Sequence, residues 1–131
     1  MFLVDTNVWL ERLLEQARSE EVGQFLSRVS SERLFVSDFA FHSIAMILSR
    51  LKKTDDLLRF VQDAFIDGAI TLIRLEPEDT ARLTDVMKRF NLDFDDAYQY
   101  VAAEKFALSI VSFDEHFEKT ERGRRMPSEV S

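Results

Sequence analysis

Short apolar runs alternate with longer segments of helical period along the chain. The apolar runs predict four strands, at residues 2–4, 34–36, 69–73 and 108–112. Between these runs, apolar residues recur every three or four positions, which is typical of amphipathic helices. The pattern predicts helices over residues 6–16, 20–29, 37–51, 54–65, 76–90 and 93–106. Strands that alternate with helices favour parallel pairing, so we expect a three-layer α/β/α sandwich around a central parallel sheet.

Helix N-caps and the few Gly and Pro residues refine this prediction. Thr6 or Asn7 is the predicted N-cap of the first helix, and Thr54 that of the fourth. The sequence contains only three Gly and two Pro, so it offers no flexible linker. We therefore predict a single domain over residues 1–131, with a short polar tail from about Glu121 to Ser131.

Composition and charge narrow the function classes. The sequence has no Cys, which excludes disulfides and thiolate metal sites, and no apolar stretch of about 18 residues, so we expect no membrane span. The acidic Asp5 interrupts any N-terminal apolar stretch, so we expect no signal peptide and a cytoplasmic location. A net charge of −7 disfavours a broad basic face that coats nucleic acid. It does not exclude a nucleic-acid enzyme whose acidic residues bind a metal ion.

Three acidic residues lie where a parallel sheet places ligands. Asp5 directly follows the first predicted strand, Asp114 follows the last, and Asp96 lies in the first turn of the helix before that last strand. Ligands bind beyond the carboxyl ends of such strands. Each of these residues alone could cap a helix or start a turn. Together they indicate a functional site.

Neighbouring carboxylates repel one another unless a cation neutralises them. Their hard oxygen atoms favour Mg²⁺ or Mn²⁺ over softer metals. Such an ion can activate a water molecule to attack a phosphodiester. The three acids therefore predict metal-assisted phosphoryl chemistry, with its substrate left open.

Three segments of the sequence resemble the signatures of PIN-domain proteins. They are Phe-Leu-Val-Asp-Thr-Asn at residues 2–7, Leu-Asp-Phe-Asp-Asp-Ala at 92–97 and Val-Ser-Phe-Asp at 111–114. Their order and spacing match that family along essentially the whole chain.

The resemblance implies a PIN-like fold and a Mg²⁺- or Mn²⁺-dependent ribonuclease that acts on RNA. It further implies a VapC-type toxin, inhibited by a cognate antitoxin protein and assembled as a homodimer. Carried over residue by residue, Asp5, Asp96 and Asp114 would be the catalytic metal ligands. Asn7 and Ser112 would support them through hydrogen bonds.

The sequence departs from the family at one position. PIN proteins usually have a Glu in the helix after the second strand, and by register Ser43 stands there, with His42 as the adjacent alternative. Asp38 or Asp93 could supply the missing carboxylate from another direction. The departure leaves a second hypothesis open, in which a catalytically degenerate PIN module binds RNA or a protein partner without cleavage.

Two further sequence features, a histidine and a basic cluster near the C-terminus, are not assigned to the predicted site. His116 has no Ser or Cys partner at a recognisable spacing, so a hydrolase triad is not supported. The basic residues Arg122, Arg124 and Arg125 could contact RNA phosphates, but a solvated surface is the favoured interpretation.

Overall fold

A parallel sheet of four short strands forms the centre of the molecule, in a computed structural model that describes residues 1–130. The strands are β1 (Phe2–Val4), β2 (Leu34–Ser37), β3 (Thr71–Ile73) and β4 (Ser109–Val111). They lie in the order β3-β2-β1-β4, and all pairs are parallel. The chain adds β2 and β3 on one side of β1 and then crosses to place β4 on the other. The topological switch point therefore lies between β1 and β4.

Helices cover both faces of this sheet, which confirms the predicted α/β/α sandwich. The described residues form six α-helices: α1 (Thr6–Leu13), α2 (Ser19–Arg28), α3 (Asp38–Arg50), α4 (Thr54–Val61), α5 (Thr80–Phe90) and α6 (Phe94–Lys105). A π-helical turn, Gln62–Ile66, extends α4, and single 3₁₀ turns occur at Ser31–Arg33, Pro77–Asp79, Glu115–Lys119 and Pro127–Glu129. Within residues 1–130, no helix combines the length and apolar character that crossing a membrane requires.

Alternating side chains of the strands build a core on each face. Phe2 and Val4 of β1 point to the face that α1, α2, α3 and α4 cover, where Phe25 and Ile44 are fully buried. Leu3, between them, points to the opposite face and packs in the core that α5 and α6 build. A period of two along the strand accounts for this division. Burial on both faces explains why β1 reads as a continuous apolar run.

The helix starts correct two of the predicted caps. The N-cap of α1 is Asp5 rather than Thr6 or Asn7, because the Asp5 carboxylate accepts from the first helical N–H. Thr54 is the first residue of α4 and not its cap. As the N-cap of α1, Asp5 has its carboxylate fixed at the carboxyl end of β1.

The expectation of a polar tail from Glu121 is wrong for the described part of that segment. Arg125 pairs with β4, donating to the carbonyl of Ile110 at 2.8 Å and accepting from the N–H of Ser112 at 3.0 Å. Val130 is buried against α2, and Arg28 donates to its carbonyl at 3.0 Å. Backbone pairing does not depend on side-chain polarity, so the composition of the segment concealed it. Ser131 lies outside the described residues.

Candidate functional site

Asp5 stands directly after β1, beside the switch point of the sheet. Its backbone N–H donates to the last carbonyl of β4 at 2.9 Å. Its carboxylate accepts from the N–H of Thr6 at 2.8 Å, Nε2 of Gln99 at 2.9 Å and Oγ of Ser112 at 2.7 Å. Only 8% of the residue is exposed. This burial raises the pKa of Asp5 against the effect of its hydrogen bonds, and the negative charge of Asp114 adds to the rise.

Ser112 and Asn7 tie the loop after β4 to the first turn of α1. The Ser112 hydroxyl, which donates to Asp5, also accepts from the N–H of Asp114 at 2.9 Å and from Nδ2 of Asn7 at 3.3 Å. The other amide atom of Asn7, Oδ1, accepts from the N–H of Phe113 at 3.2 Å. Ser112 therefore contacts Asp5 directly, and Asn7 contacts Ser112 but none of the three acids.

Asp96, Asp114 and His116 form a tight group of side chains with metal-ligating atoms. One such atom from each lies within 4.8 Å of the others, the single group of this kind in residues 1–130. Nδ1 of His116 is 3.0 Å from Oδ2 of Asp96 and 3.1 Å from Oδ1 of Asp114. The structure thus brings together two of the three predicted acids. Asp5 lies outside this group but is joined to it through Ser112.

The charges in this group influence one another. Partial burial raises the pKa of Asp96 to about 6, and the neighbouring negative charges of Asp114, Asp93 and Asp5 add to that rise, while the hydrogen bond with His116 opposes it. The pKa of His116 is raised by its hydrogen bond to Asp96 and by the charges of both carboxylates. Carboxylates that repel one another in this way favour a bound cation.

Gln99 belongs to the site, although the sequence analysis did not single it out. It is 3% exposed, donates through Nε2 to Asp5 and accepts through Oε1 from the hydroxyl of Ser37 at 2.6 Å. Its signal in the sequence was its position three residues after Asp96, which places both side chains on one face of α6. Gln99 connects the Asp5 carboxylate to the start of α3.

A cleft of about 300 Å³ opens beside these residues. Its wall includes Asp5, Asp96, Gln99 and, from α3, Ser43. The exposed His42 does not line the cleft. Of the two candidates for the usual family acid, Ser43 is therefore the one that faces this space, and it contributes a hydroxyl group in place of a carboxylate.

Asp38 and Asp93 each use a carboxylate oxygen to accept a hydrogen bond within the fold. Oδ1 of Asp38 accepts from the hydroxyl of Tyr98 at 2.7 Å, and Oδ1 of Asp93 accepts from the N–H of Asp96 at 2.9 Å as the N-cap of α6. Neither belongs to the group of ligand atoms described above. The negative charge of Asp93 nevertheless acts on Asp96.

A larger cavity of about 770 Å³ lies between α1, α2 and α4, away from the three predicted site residues. It is lined by Trp9, Leu26 and Phe60 and includes both acidic and basic side chains, but not Asp5, Asp96 or Asp114. Size therefore does not identify the site here. The smaller cleft is the one whose wall includes Asp5, Asp96 and Gln99.

Of the basic residues near the C-terminus, Arg122 and Arg124 hold backbone in place, while Arg122 and Arg125 are exposed. Arg122 donates to the carbonyl of Leu108 at 3.0 Å, and Arg124 donates to the carbonyl of Ser112 at 3.2 Å and to Glu118 at 2.7 Å. The side chain of Arg124 is largely buried. The interpretation of these residues as solvated surface was therefore wrong for Arg124.

Comparisons with known structures agree with this fold. A toxin–antitoxin complex from Klebsiella pneumoniae aligns with a TM-score of 0.77 at 18% identity, covering 99% of this chain and 100% of that one. FitAcB from Neisseria gonorrhoeae aligns with a TM-score of 0.76 at 22% identity, covering 99% and 100%. VapC20 from Mycobacterium tuberculosis, a sarcin-ricin loop cleaving toxin, aligns with a TM-score of 0.73 at 13% identity, covering 87% and 90%.

Sequence comparison provides the family. No curated protein sequence matches the chain significantly. The model of the PIN domain matches residues 2–123 and so includes every strand, every helix and all three predicted acids. The motifs at both ends of that range, the parallel sheet and the acids at its switch point agree with this match. The chain belongs to the PIN-domain family.

Proposed function

We propose that this protein is a Mg²⁺- or Mn²⁺-dependent ribonuclease that cleaves RNA phosphodiester bonds and is the toxin of a toxin–antitoxin pair. The observation that supports this most strongly is the convergence of Asp96 and Asp114 at the switch point, with Asp5 fixed beside them. We also propose that residues 1–131 form one domain, which would unfold in a single cooperative transition.

The donor atoms of the site fit a divalent cation with a preference for oxygen. Asp5, Asp96 and Asp114 offer carboxylate oxygens, and His116 offers one nitrogen. Mg²⁺ and Mn²⁺ bind to such oxygen-rich sets. The raised pKa values of Asp5 and Asp96 show that their ionised forms are unfavourable in this environment, and a bound cation would stabilise those forms.

The residues of the chain have distinct roles in this proposal. Asp5, at the end of β1, and Asp96 and Asp114 would hold the cation. Ser112 and Gln99 orient Asp5 through the hydrogen bonds described above, and Asn7 holds the Ser112 hydroxyl. A bound divalent cation would lower the pKa of a coordinated water and offset the charge of the RNA phosphate. Pre-set carboxylates limit the reorganisation needed on binding.

The proposed partners are an RNA substrate, a cognate antitoxin protein and a second copy of this chain. The similarity to the Klebsiella toxin–antitoxin complex and to a toxin that cleaves the sarcin-ricin loop supports the first two. Strong negative net charge supports the need for a cation, because RNA phosphates would otherwise be repelled by the cleft.

Cleavage of a structured RNA by the purified chain tests this proposal. We expect cleavage with Mn²⁺ or Mg²⁺, none after chelation, and a loss of at least about 100-fold in Asp114→Asn, because a ligand carboxylate is removed. Asp55→Asn, at an exposed position in α4, is the matched control and should cleave like the wild type. Equal activity in Asp114→Asn and in the wild type would contradict the proposal.

A second candidate function follows from Ser43. Because α3 places a hydroxyl in the cleft, the site has one carboxylate fewer than the family usually provides. A degenerate module would bind RNA or a protein partner without cutting. Retention of RNA by the chain, with no cleavage at saturating Mn²⁺, would favour this alternative over the nuclease.

A further inference from the structure

We propose that His116 is a metal ligand of this site and binds the divalent cation through Nδ1. The inference rests on the proposed metal-dependent function, and it assigns to the loop after β4 the contribution that α3 lacks. It makes the ligand set one of carboxylate oxygens and one imidazole nitrogen.

The distances within the group fit this role. Nδ1 of His116 lies 3.0 Å from an oxygen of Asp96 and 3.1 Å from an oxygen of Asp114. Adjacent ligands on an octahedral ion with bonds near 2.1 Å are separated by about 3.0 Å, which is √2 times the bond length. Nδ1 of His116 therefore already has, to each of the two carboxylate oxygens, the spacing of neighbouring ligands in a coordination shell.

The local backbone holds His116 in that orientation. Asp114 caps the 3₁₀ turn Glu115–Lys119, and its Oδ1 accepts from the backbone N–H of His116 at 2.8 Å. This turn directs the imidazole back toward Asp96 on α6. The His116 side chain is 64% exposed, so solvent can bond to Nε2 while Nδ1 binds the ion.

The wall of the cleft that α3 forms explains why a further ligand is needed. Ser43 is the α3 residue in the wall where the family usually has an acid, and a neutral hydroxyl is a weak ligand. The nitrogen of His116, beside Asp96 and Asp114, restores the number of ligands but replaces a carboxylate oxygen with an imidazole nitrogen. Imidazole nitrogen favours Mn²⁺ and later transition metals over Mg²⁺, so the site should discriminate between these ions.

Pulsed electron paramagnetic resonance of bound Mn²⁺ tests the inference directly, because it detects the ¹⁴N nucleus of a coordinated imidazole. The chain has only two histidines, His42 and His116. We expect the imidazole signal in the wild type and in His42→Gln, the matched control at an exposed position of α3. We expect no such signal in His116→Asn, whose affinity for Mn²⁺ should fall about tenfold or more while its affinity for Mg²⁺ changes less.

The possible outcomes separate this inference from the proposed function. Mn²⁺ that binds in the wild type, is lost in Asp114→Asn and shows no imidazole signal would overturn the role of His116 and leave the metal site intact. An imidazole signal that persists in His116→Asn or disappears in His42→Gln would also overturn it. Failure of Mn²⁺ to bind the wild type at all would contradict both proposals.

Discussion

The environment of Asp5 shows how single residues prepare the site. A carboxylate with 8% exposure is costly to bury in its charged form unless donors surround it. Here one donor comes from α1, one from α6 and one from the loop after β4, namely Thr6, Gln99 and Ser112. Three separate elements therefore converge on one side chain. Their agreement fixes its orientation before any ligand binds.

Gln99→Leu tests the weight of one of these donors. The change removes a hydrogen bond to Asp5 and leaves the buried hydroxyl of Ser37 without its acceptor. We expect the free energy of unfolding to fall by about 1–3 kcal/mol, the usual cost of unpaired buried polar groups. Urea denaturation measures it, with Gln24→Leu on the exposed face of α2 as control. Equal stability of Gln99→Leu and the control would show that Gln99 does not support Asp5.

Ser43→Glu tests the position at which the chain departs from its family. A carboxylate here would face the cleft of Asp5 and Asp96, so we expect lower stability without metal, most clearly at low salt. The same charge should tighten Mn²⁺ binding by about tenfold, because it adds an anionic oxygen ligand. Calorimetric titration measures this affinity. Unchanged affinity in a folded variant would mean that position 43 does not reach the ion.

At the scale of elements, α6 joins the site to the rest of the fold. Its first turn provides Asp96, its next turn provides Gln99, and Tyr98 faces the segment after β3. The Tyr98 hydroxyl donates to Asp38 at 2.7 Å and accepts from the N–H of Leu75 at 3.0 Å. One helix therefore sets both the chemistry of the cleft and the packing between α3 and β3.

This packing predicts the alkaline titration of the folded protein. The chain has two tyrosines, Tyr98 and Tyr100. Burial raises the pKa of Tyr98 to about 12, and it also raises the pKa of Tyr100. Raised values mean that the folded state holds these protons more tightly than the unfolded state, so stability should fall as pH rises above 10. Tyrosinate absorbance should not increase near pH 10 until the protein unfolds. A transition at that pH in the native protein would contradict the described environment of α6.

At the scale of the whole molecule, the sequence predicts the fold well because burial on both faces leaves a clear pattern. The strands appear as apolar runs, and Asp5 and Asp114 follow two of them directly. Parallel pairing then places both acids at one edge of the sheet without further information. The strand order shows why this edge is special, since the switch point lies between β1 and β4.

Residues whose role depends on distant neighbours could not be predicted in this way. Gln99 and His116 are ordinary polar residues until the fold brings Asp5, Ser37 and Asp96 beside them. The C-terminal segment was interpreted as a polar tail because its attachment uses backbone pairing and one buried Val130. The local hydrophobic pattern indicates which residues are buried and which element they form. It does not indicate hydrogen-bond partners that lie about a hundred residues apart in the sequence.

The central claim is that these acids form a centre for a divalent cation, and anomalous diffraction from crystals soaked in Mn²⁺ tests it most directly. The account predicts a peak beside the cleft at about 2.1–2.2 Å from oxygen atoms of Asp96 and Asp114, on the side that faces Asp5. The peak should be absent from crystals of Asp96→Asn. A cleft without a peak at saturating Mn²⁺, or a peak only among the acidic side chains of the larger cavity, would contradict it.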